Sequence, residues 1–264
     1  MERKPFIKIS NSFMVLKIAQ ITDTHLFADR TTAMRGLVTW DSFGDVVAEV
    51  KAWNPDILLL TGDLTHRGEP QAYQHLIERI APLNRPTYYI PGNHDDVDIL
   101  NQEFKNSPFL ADKVFQDKGW QVLLLDSTLA TAQSGEGYLS EAQLKALEQS
   151  LIASSEPTVV VLHHHPVPMG IDWLDTIGVQ NYQAFLDCLT RFPQVKLVLF
   201  GHVHLEFDEP YQGIQFCGSP STCKQVLRDG AIEEEAYPGF RGLRLFEDGT
   251  YQTEVIRSHP RQSL

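Results

Sequence analysis

"TVVVLHHHPVP", Thr158 to Pro168, runs four apolar residues, Val159 to Leu162, straight into three consecutive histidines and a proline. An apolar run that does not alternate belongs to a strand buried on both faces of a sheet. Placing three imidazoles at the mouth of such a strand needs a reason, and other runs in the chain end just as abruptly. "LKIAQITD" closes on Asp23, "ILLLTGD" on Asp63, "TYYIPGNHD" on Asn93 and His94, "VLLLDS" on Ser127, and "KLVLFGHVH" on His202 and His204.

Amphipathic stretches separate these runs: Asp41 to Trp53, Glu69 to Leu83, Glu141 to Ala153 and Tyr182 to Phe192. Ser140 is placed to cap the third of them, with Gln143 completing a capping box. Strands alternating with helices predict an α/β fold with a largely parallel sheet. After Gly213 the pattern turns to strands, "GIQFCGSP" and a hairpin in "GLRLFEDGTYQTEVI" that reverses at Glu247-Asp248-Gly249. No linker divides the chain. It reads as one domain over residues 1–264, with residues 1–14 an N-terminal extension and 257–264 a frayed tail.

The composition narrows the function. With 34 acidic and 22 basic residues the net charge is −12, which disfavours a broad basic surface for nucleic acid. It leaves room for an anionic substrate wherever a local cation or Arg supplies positive charge. No stretch has transmembrane length and the N-terminus lacks the features of a signal peptide, so the expectation is a cytoplasmic protein without a membrane partner. The three cysteines, Cys188, Cys217 and Cys223, form no CxxC; they read as free thiols in a reducing compartment, with a Cys217–Cys223 bridge the alternative. Oligomeric state is not legible.

In open α/β sheets, ligands bind at the carboxyl ends of the strands. Those ends carry Asp23, His25, Asp63, Asn93, His163, His202 and His204, a set of oxygen and nitrogen donors without a thiolate. Such donors suit borderline-hard divalent ions, and seven are too many for one tetrahedral ion. They suit two ions about 3.5–4 Å apart that share a carboxylate. Gly62, Gly92 and Gly201 precede ligands, where a missing Cβ permits positive φ. Alternation along "DTH" and "HVH" would aim each pair of side chains the same way in an extended backbone.

The succession D-x-H, G-D, G-N-H-D, H and G-H-x-H, from Asp23 to His204, resembles the calcineurin-like metallophosphoesterases. The flanking "QITDTHLF", "PGNHD", "LHHHPVP" with "WLD", and "PSTC" are similar to the bacterial 3′,5′-cyclic-AMP phosphodiesterases of that family. The resemblance implies a four-layer α/β/β/α sandwich. It implies a first metal on Asp23, His25 and His204, with Asp63 bridging to a second on Asn93, His163 and His202. Fe2+ or Mn2+ is the expected metal, with Zn2+ or Mg2+ as alternatives. A hydroxide bridging the two would open cyclic AMP to 5′-AMP, lowering cellular cyclic AMP. His94 would be the catalytic residue, and His25, Asp63, Asn93, His94 and His204 would contact the substrate. Because the ligating histidines must be neutral, activity should collapse below a pH of about 6.

Of the three histidines, His163 is the expected ligand. His164 should pack or hydrogen-bond on the opposite side, while His165 either nears the pocket or shapes the turn into Pro166. Leu26, Phe27, Trp40, Trp173 and "CGSPSTC" are candidates for the pocket walls, the two tryptophans alternatively being loop anchors. Related protein phosphatases carry G-D-x-x-D-R-G, whereas this chain has "GDLTHRG", His66 replacing the Asp that steers the catalytic His. That leaves the orientation of His94 to Asp95 or to a substrate group. A broader phosphodiesterase or nucleotidase, acting on glycerophosphodiesters or 2′,3′-cyclic nucleotides, is the main alternative. A non-catalytic scaffold of the same fold is another, although this chain retains every ligand and His94.

Overall fold

The computed structural model describes residues 14–259. β1 (Val15–Ile21) leads to a short hairpin, β2 (Ala33–Met34) and β3 (Leu37–Val38), and then to α1 (Thr39–Trp53) and β4 (Ile57–Thr61). α2 (Pro70–Ile80), β5 (Thr87–Ile90) and α3 (Val97–Phe104) complete the first half. The second half runs β6 (Val114–Asp117), β7 (Trp120–Leu124), α4 (Glu141–Ala153), β8 (Thr158–Leu162), α5 (Asp172–Asp175), α6 (Tyr182–Leu189) and β9 (Val195–Phe200). β10 (Phe207–Tyr211), β11 (Ile214–Gly218), β12 (Gly239–Phe246) and β13 (Tyr251–Arg257) close the fold.

The continuous apolar runs divide residue by residue between different cores. In β4, Ile57 and Leu59 enter one apolar cluster, Leu58 and Leu60 another. In β8, Val159 and Val161 join that first cluster, while Val160 and Leu162 face a third. The shared cluster lies between two sheets, ordered β13-β12-β1-β4-β5 and β10-β11-β9-β8-β7-β6. The second cluster packs α1, α2 and α3 on one sheet, and the third packs α4, α5 and α6 on the other. The architecture is therefore the expected four-layer α/β/β/α sandwich, a single α/β domain. Burying a Val or Leu side chain fully contributes roughly 1.5–3 kcal/mol, so these runs do most to hold the layers together.

Within the sheets β1, β4 and β5 are parallel, as are β7, β8, β9 and β11. Their carboxyl ends meet along one edge of the sandwich, which gathers the polar strand ends in one place. The capping box of α4 is present, with Gln143 N donating to Ser140 Oγ at 3.2 Å and Ser140 N to Gln143 Oε1 at 2.9 Å.

One boundary differs from expectation. Arg257 does not begin a frayed tail: it pairs with Gly239 across β12 and donates to the carbonyls of Glu235 and Tyr237. Ser258 N also bonds Pro238 O, at 2.8 Å. Residues 260–264 of the expected tail, and 1–13 of the expected extension, lie outside the described residues. Cys188, Cys217 and Cys223 are free and buried, which removes the Cys217–Cys223 bridge. Among the described residues no helix is long and apolar enough to cross a membrane.

Candidate metal centre and active site

Of the seven strand-end residues, His25, Asp63, Asn93, His202 and His204 line one cleft while Asp23 and His163 are fully buried beside them, and the backbone turns sharply to bring them there. Asp23, His25, Asp63, His202 and His204 all adopt positive φ, between 42° and 66°. This corrects the extended geometry expected for "DTH" and "HVH": the ligands converge through left-handed turns. Asp and His enter that region more readily than most residues, and each such position costs on the order of 1–3 kcal/mol that the surrounding packing must offset.

The glycines act differently from expectation too. Of the three, only Gly62 has positive φ, at 93°. Gly92 and Gly201 are required by close approach, since a Cβ would collide with Asp63 at the first and with Thr22 and Asp23 at the second.

The imidazoles are aimed by their outer nitrogens. His163 Nδ1 lies 2.8 Å from Thr61 O and His204 Nδ1 2.7 Å from Lys224 O. A carbonyl only accepts, so both Nδ1 atoms carry the hydrogen in the neutral ring and both Nε2 atoms present lone pairs. His204 Nε2 is 3.2 Å from Asp23 Oδ1 and 3.1 Å from His25 Nε2. Asp63 spans the cluster, with Oδ2 3.6 Å from His25 Nε2 and Oδ1 3.4 Å from His163 Nε2. On that second side Asn93 Oδ1, His163 Nε2 and His202 Nε2 are buried without any hydrogen-bond partner among the described residues. Orphaned polar atoms are costly in an interior, and a convergent group of them is explained by a cation. The cluster offers candidate donor groups for metal: ligand atoms of Asp23, Asp63 and His163 lie within 4.8 Å of one another, as do those of His163, His164 and His202.

Electrostatics agree. Burial opposes ionisation of Asp23 and Asp63, yet His204 beside the first and His163 beside the second hold both below the usual range. Burial alone would depress His163 and His204, but Asp63 carries His163 up to about 9 and Asp23 raises His204 well above its ordinary value. Burial takes His25 down to about 3 against the pull of Asp63. Asp63 and Asp23 thus favour the protonated form of His163 and His204, and a cation competes with those protons. Loading metal at pH 7 is expected to release protons, measurable with an indicator dye in weak buffer. Since protons compete at His163 up to about 9, apparent metal affinity should rise with pH towards that value and level off above it. A proton count of zero at pH 7 would refute this.

The histidine triplet resolves into three positions. His163 faces the centre. His164 bonds Ser127 Oγ through Nδ1 at 2.8 Å, as expected, with the backbone of Gly137 against its ring. It does not lie on the opposite side, however: a ligand nitrogen of it is within 4.8 Å of those of His163 and His202. His165 stacks on His202 at 5.8 Å and 19° and packs against Gly178. It lines a neighbouring cavity of about 410 Å³ rather than the metal cleft.

His94 sits at the rim of the cluster, and among the described residues it is His66, not Asp95, that orients it. Its Nδ1 lies 3.0 Å from the carbonyl oxygen of His66, and its ring stacks on that of His66 at 4.7 Å and 16°. Asp95 is occupied elsewhere, accepting from Gly92 N, Leu64 N, Thr65 N and Tyr73 OH and so clamping two ligand loops together. Asp63 Oδ1 accepts from His94 N at 2.8 Å, which ties the rim to the bridging carboxylate.

The cleft above measures about 480 Å³, within the range that takes a small ligand. Phe27, Arg35, Arg67, Trp173 and Ile177 line it. Trp40 is an anchor, held between Arg30 and Arg79 at 4.1 and 3.7 Å from its ring. Trp173 is not buried as an anchor would be: it is 53 % exposed at the cleft edge.

Residues 16–206 match the calcineurin-like phosphoesterase family. The chain belongs to that family. Within it, a 3′,5′-cyclic adenosine monophosphate phosphodiesterase of Escherichia coli, CpdA, is 39% identical over 248 residues, 92% of this chain and 90% of that protein. A 3′,5′-cyclic-nucleotide phosphodiesterase of Nostoc is 38% identical over 253 residues, 94% of each chain. The fold is shared with a dimetal phosphatase from Danio rerio, at a TM-score of 0.70 and 14% identity over 92% of this chain and 99% of that one. Calcineurin-like phosphoesterases use a dinuclear metal site, and the strand-end cluster is where this member has the donors for one.

Sequence reasoning missed three residues that this phosphoesterase brings to the centre. His66 contributes through its carbonyl and ring rather than as a ligand. His164 joins His163 and His202, its Nε2 buried without a partner among the described residues. Cys223 lies beside His25 and His204. Its place after β11, a strand parallel to β9, was the available signal.

Proposed function

We propose that this phosphoesterase hydrolyses 3′,5′-cyclic AMP to 5′-AMP in the cytoplasm, lowering the cellular level of the cyclic nucleotide. The observation that carries the substrate is the 39% identity to the E. coli cyclic-AMP phosphodiesterase over 92% of this chain. The geometry supports it with buried candidate donors for cations and a rim imidazole, held by His66, under a cleft of suitable size.

Asp23, His25 and His204 would hold one ion and Asn93, His163 and His202 the other, with Asp63 between them. Fe2+ or Mn2+ suits the predominance of carboxylate and imidazole, with Zn2+ or Mg2+ as alternatives. When bound, two divalent ions supply a nucleophile from water at neutral pH and neutralise charge gathering on the phosphodiester. His25, Asp63, Asn93 and His204 form the floor on which the phosphate rests. His94 keeps its Nδ1 hydrogen on the His66 carbonyl, so Nε2 is the atom that meets the substrate. In its imidazolium form the ring would pass the Nε2 proton to the 3′ oxygen as the bond to phosphorus breaks, and be left neutral with its Nδ1 hydrogen still on the His66 carbonyl. Trp173 offers an exposed ring face for the purine, and Arg35 and Arg67 make the cleft mouth locally positive in an acidic chain.

Turnover of 3′,5′-cyclic AMP, 2′,3′-cyclic AMP and a glycerophosphodiester by Mn2+- or Fe2+-loaded protein tests the reading. The expected result is metal-dependent release of 5′-AMP, with the 3′,5′ diester preferred. Preference for either of the others would leave a broader phosphodiesterase. Stoichiometric metal with no diester cleaved would leave a scaffold.

A further inference from the structure

Four of the expected ligands are imidazoles, and in three of them the outer nitrogen is held in place. Thr61 O holds His163 Nδ1 at 2.8 Å, Lys224 O holds His204 Nδ1 at 2.7 Å, and His66 Nδ1 lies 3.1 Å from His25 Nδ1. The fourth is His202. Its backbone N donates to the Asp23 carboxylate, but neither ring nitrogen has a hydrogen bond among the described residues. A metal-bound imidazole almost always has its second nitrogen hydrogen-bonded, which fixes the ring plane. The plane of His202 is set by ring contacts instead.

Three histidine rings meet it. Those of His163 and His164 approach at steep angles, 73° and 50°, with centroids 5.2 and 4.7 Å away. That of His165 lies nearly parallel, at 19° and 5.8 Å, as an offset stack. His165 is fixed from behind: Pro166 restricts its backbone to extended conformations, and Val179 N donates to its carbonyl at 3.0 Å. A Cβ on Gly178 would come within 2.8 Å of its Nε2, so that backbone presses on the ring. The side chain is buried, and neither ring nitrogen makes a hydrogen bond among the described residues. Burial holds its pKa down to about 4 against the pull of Asp175 and the nearby Leu174 carbonyl. The ring is therefore neutral at pH 7 and adds no charge beside a cation's ligand. A polar ring buried in this way is used through its face.

We propose that His165 is a positioning residue, whose ring face sets the plane of His202 and so aims His202 Nε2 at the second metal position. This rests on the two-metal reading of the centre. His165 acts through His202 rather than on the metal or the substrate, and no bond is made or broken at it. Its nitrogens are dispensable and its flat face is not. Phe supplies such a face, and the cavity of about 410 Å³ beside the ring has room for the larger side chain. Leu supplies apolar bulk without one.

Metal-stripped protein titrated with Mn2+, the free ion being counted by electron paramagnetic resonance, tests this. Wild-type protein should take up two ions per chain. His165→Phe should do so at wild-type affinity and should melt no lower, since it removes two buried nitrogens that lack partners. His165→Leu should keep the first ion and bind the second about 10–100-fold more weakly, the usual cost of losing an outer support of a ligand. Circular dichroism checks that each variant is folded, and His165→Phe decides the matter even if His165→Leu does not fold. A weakened second ion in His165→Phe would show that a ring nitrogen is needed. Wild-type affinity in His165→Leu would show that no face is. Either result would overturn the assignment and leave the metal centre standing, whereas wild-type protein that takes up fewer than two ions would remove the centre and the positioning role with it.

Discussion

Asp63→Asn is expected to reduce bound metal from two ions per chain to one or none and to lower cyclic-AMP turnover on the order of 10³–10⁴-fold. Asp63 is the side chain with an oxygen towards each half of the cluster, 3.6 Å from His25 Nε2 and 3.4 Å from His163 Nε2. An amide keeps the shape but offers one acceptor oxygen where the carboxylate offers two. It also removes one of the buried charges that the cations neutralise. Cation stabilisation of a phosphoryl transition state contributes several kcal/mol, and each 1.36 kcal/mol or so is a factor of about ten in rate. The fold should survive, because the amide oxygen of the variant can still accept from His94 N as the carboxylate does. Metal-to-protein ratios, steady-state rates and circular dichroism on the same preparation check all three parts. A variant that kept two ions and wild-type turnover would show that Asp63 does not bridge.

The parts of this site that were legible in the sequence were those encoded in side-chain type and strand position. Asp23, Asp63, Asn93, His163 and His202 stood out because each follows an apolar run that could only be a buried strand, and the parallel sheets then carry all of them to one edge. The four layers followed from the same runs, since Leu58 and Leu59 must face different cores. What stayed hidden was backbone. Left-handed φ at His202 and His204 has no residue signature beyond a mild tolerance, so an extended strand end was the natural expectation. The partner of His94 is a carbonyl, which every residue has, and the histidine at position 66 hid its part by replacing the acid that the resemblance led one to seek.

Packing against neighbours was hidden for the same reason. Gly137 and Gly178 are distant in sequence from the histidines they lie against, and nothing local distinguishes them from loop glycines. Trp40 and Trp173 follow similar loop-like contexts, yet two arginines clasp the first while the second stands exposed at the cleft. Arg257 looked like the start of a frayed tail because its partners, the carbonyls of Glu235 and Tyr237, are tertiary.

His94→Ala should leave both metal ions bound and lower kcat for cyclic AMP by about 10²–10⁴-fold, the usual contribution of a positioned acid. Retained metal is the first discriminator, because His25, His66 and His94 also bring ligand atoms within 4.8 Å of one another and would themselves form a cation site if His94 were a ligand. The bond from Nδ1 to the His66 carbonyl argues otherwise: it and the stack on the His66 ring hold the imidazole at the rim, with Nε2 left for the substrate. The second discriminator is the leaving group. The 3′ alkoxide of a ribose is strongly basic and gains from a proton as it departs, whereas p-nitrophenolate departs unaided. Loss of the acid should therefore be several-fold to many-fold milder on bis-p-nitrophenyl phosphate than on cyclic AMP. Equal losses on both substrates would assign His94 to holding the phosphoryl group instead. Loss of a metal ion would make it a ligand.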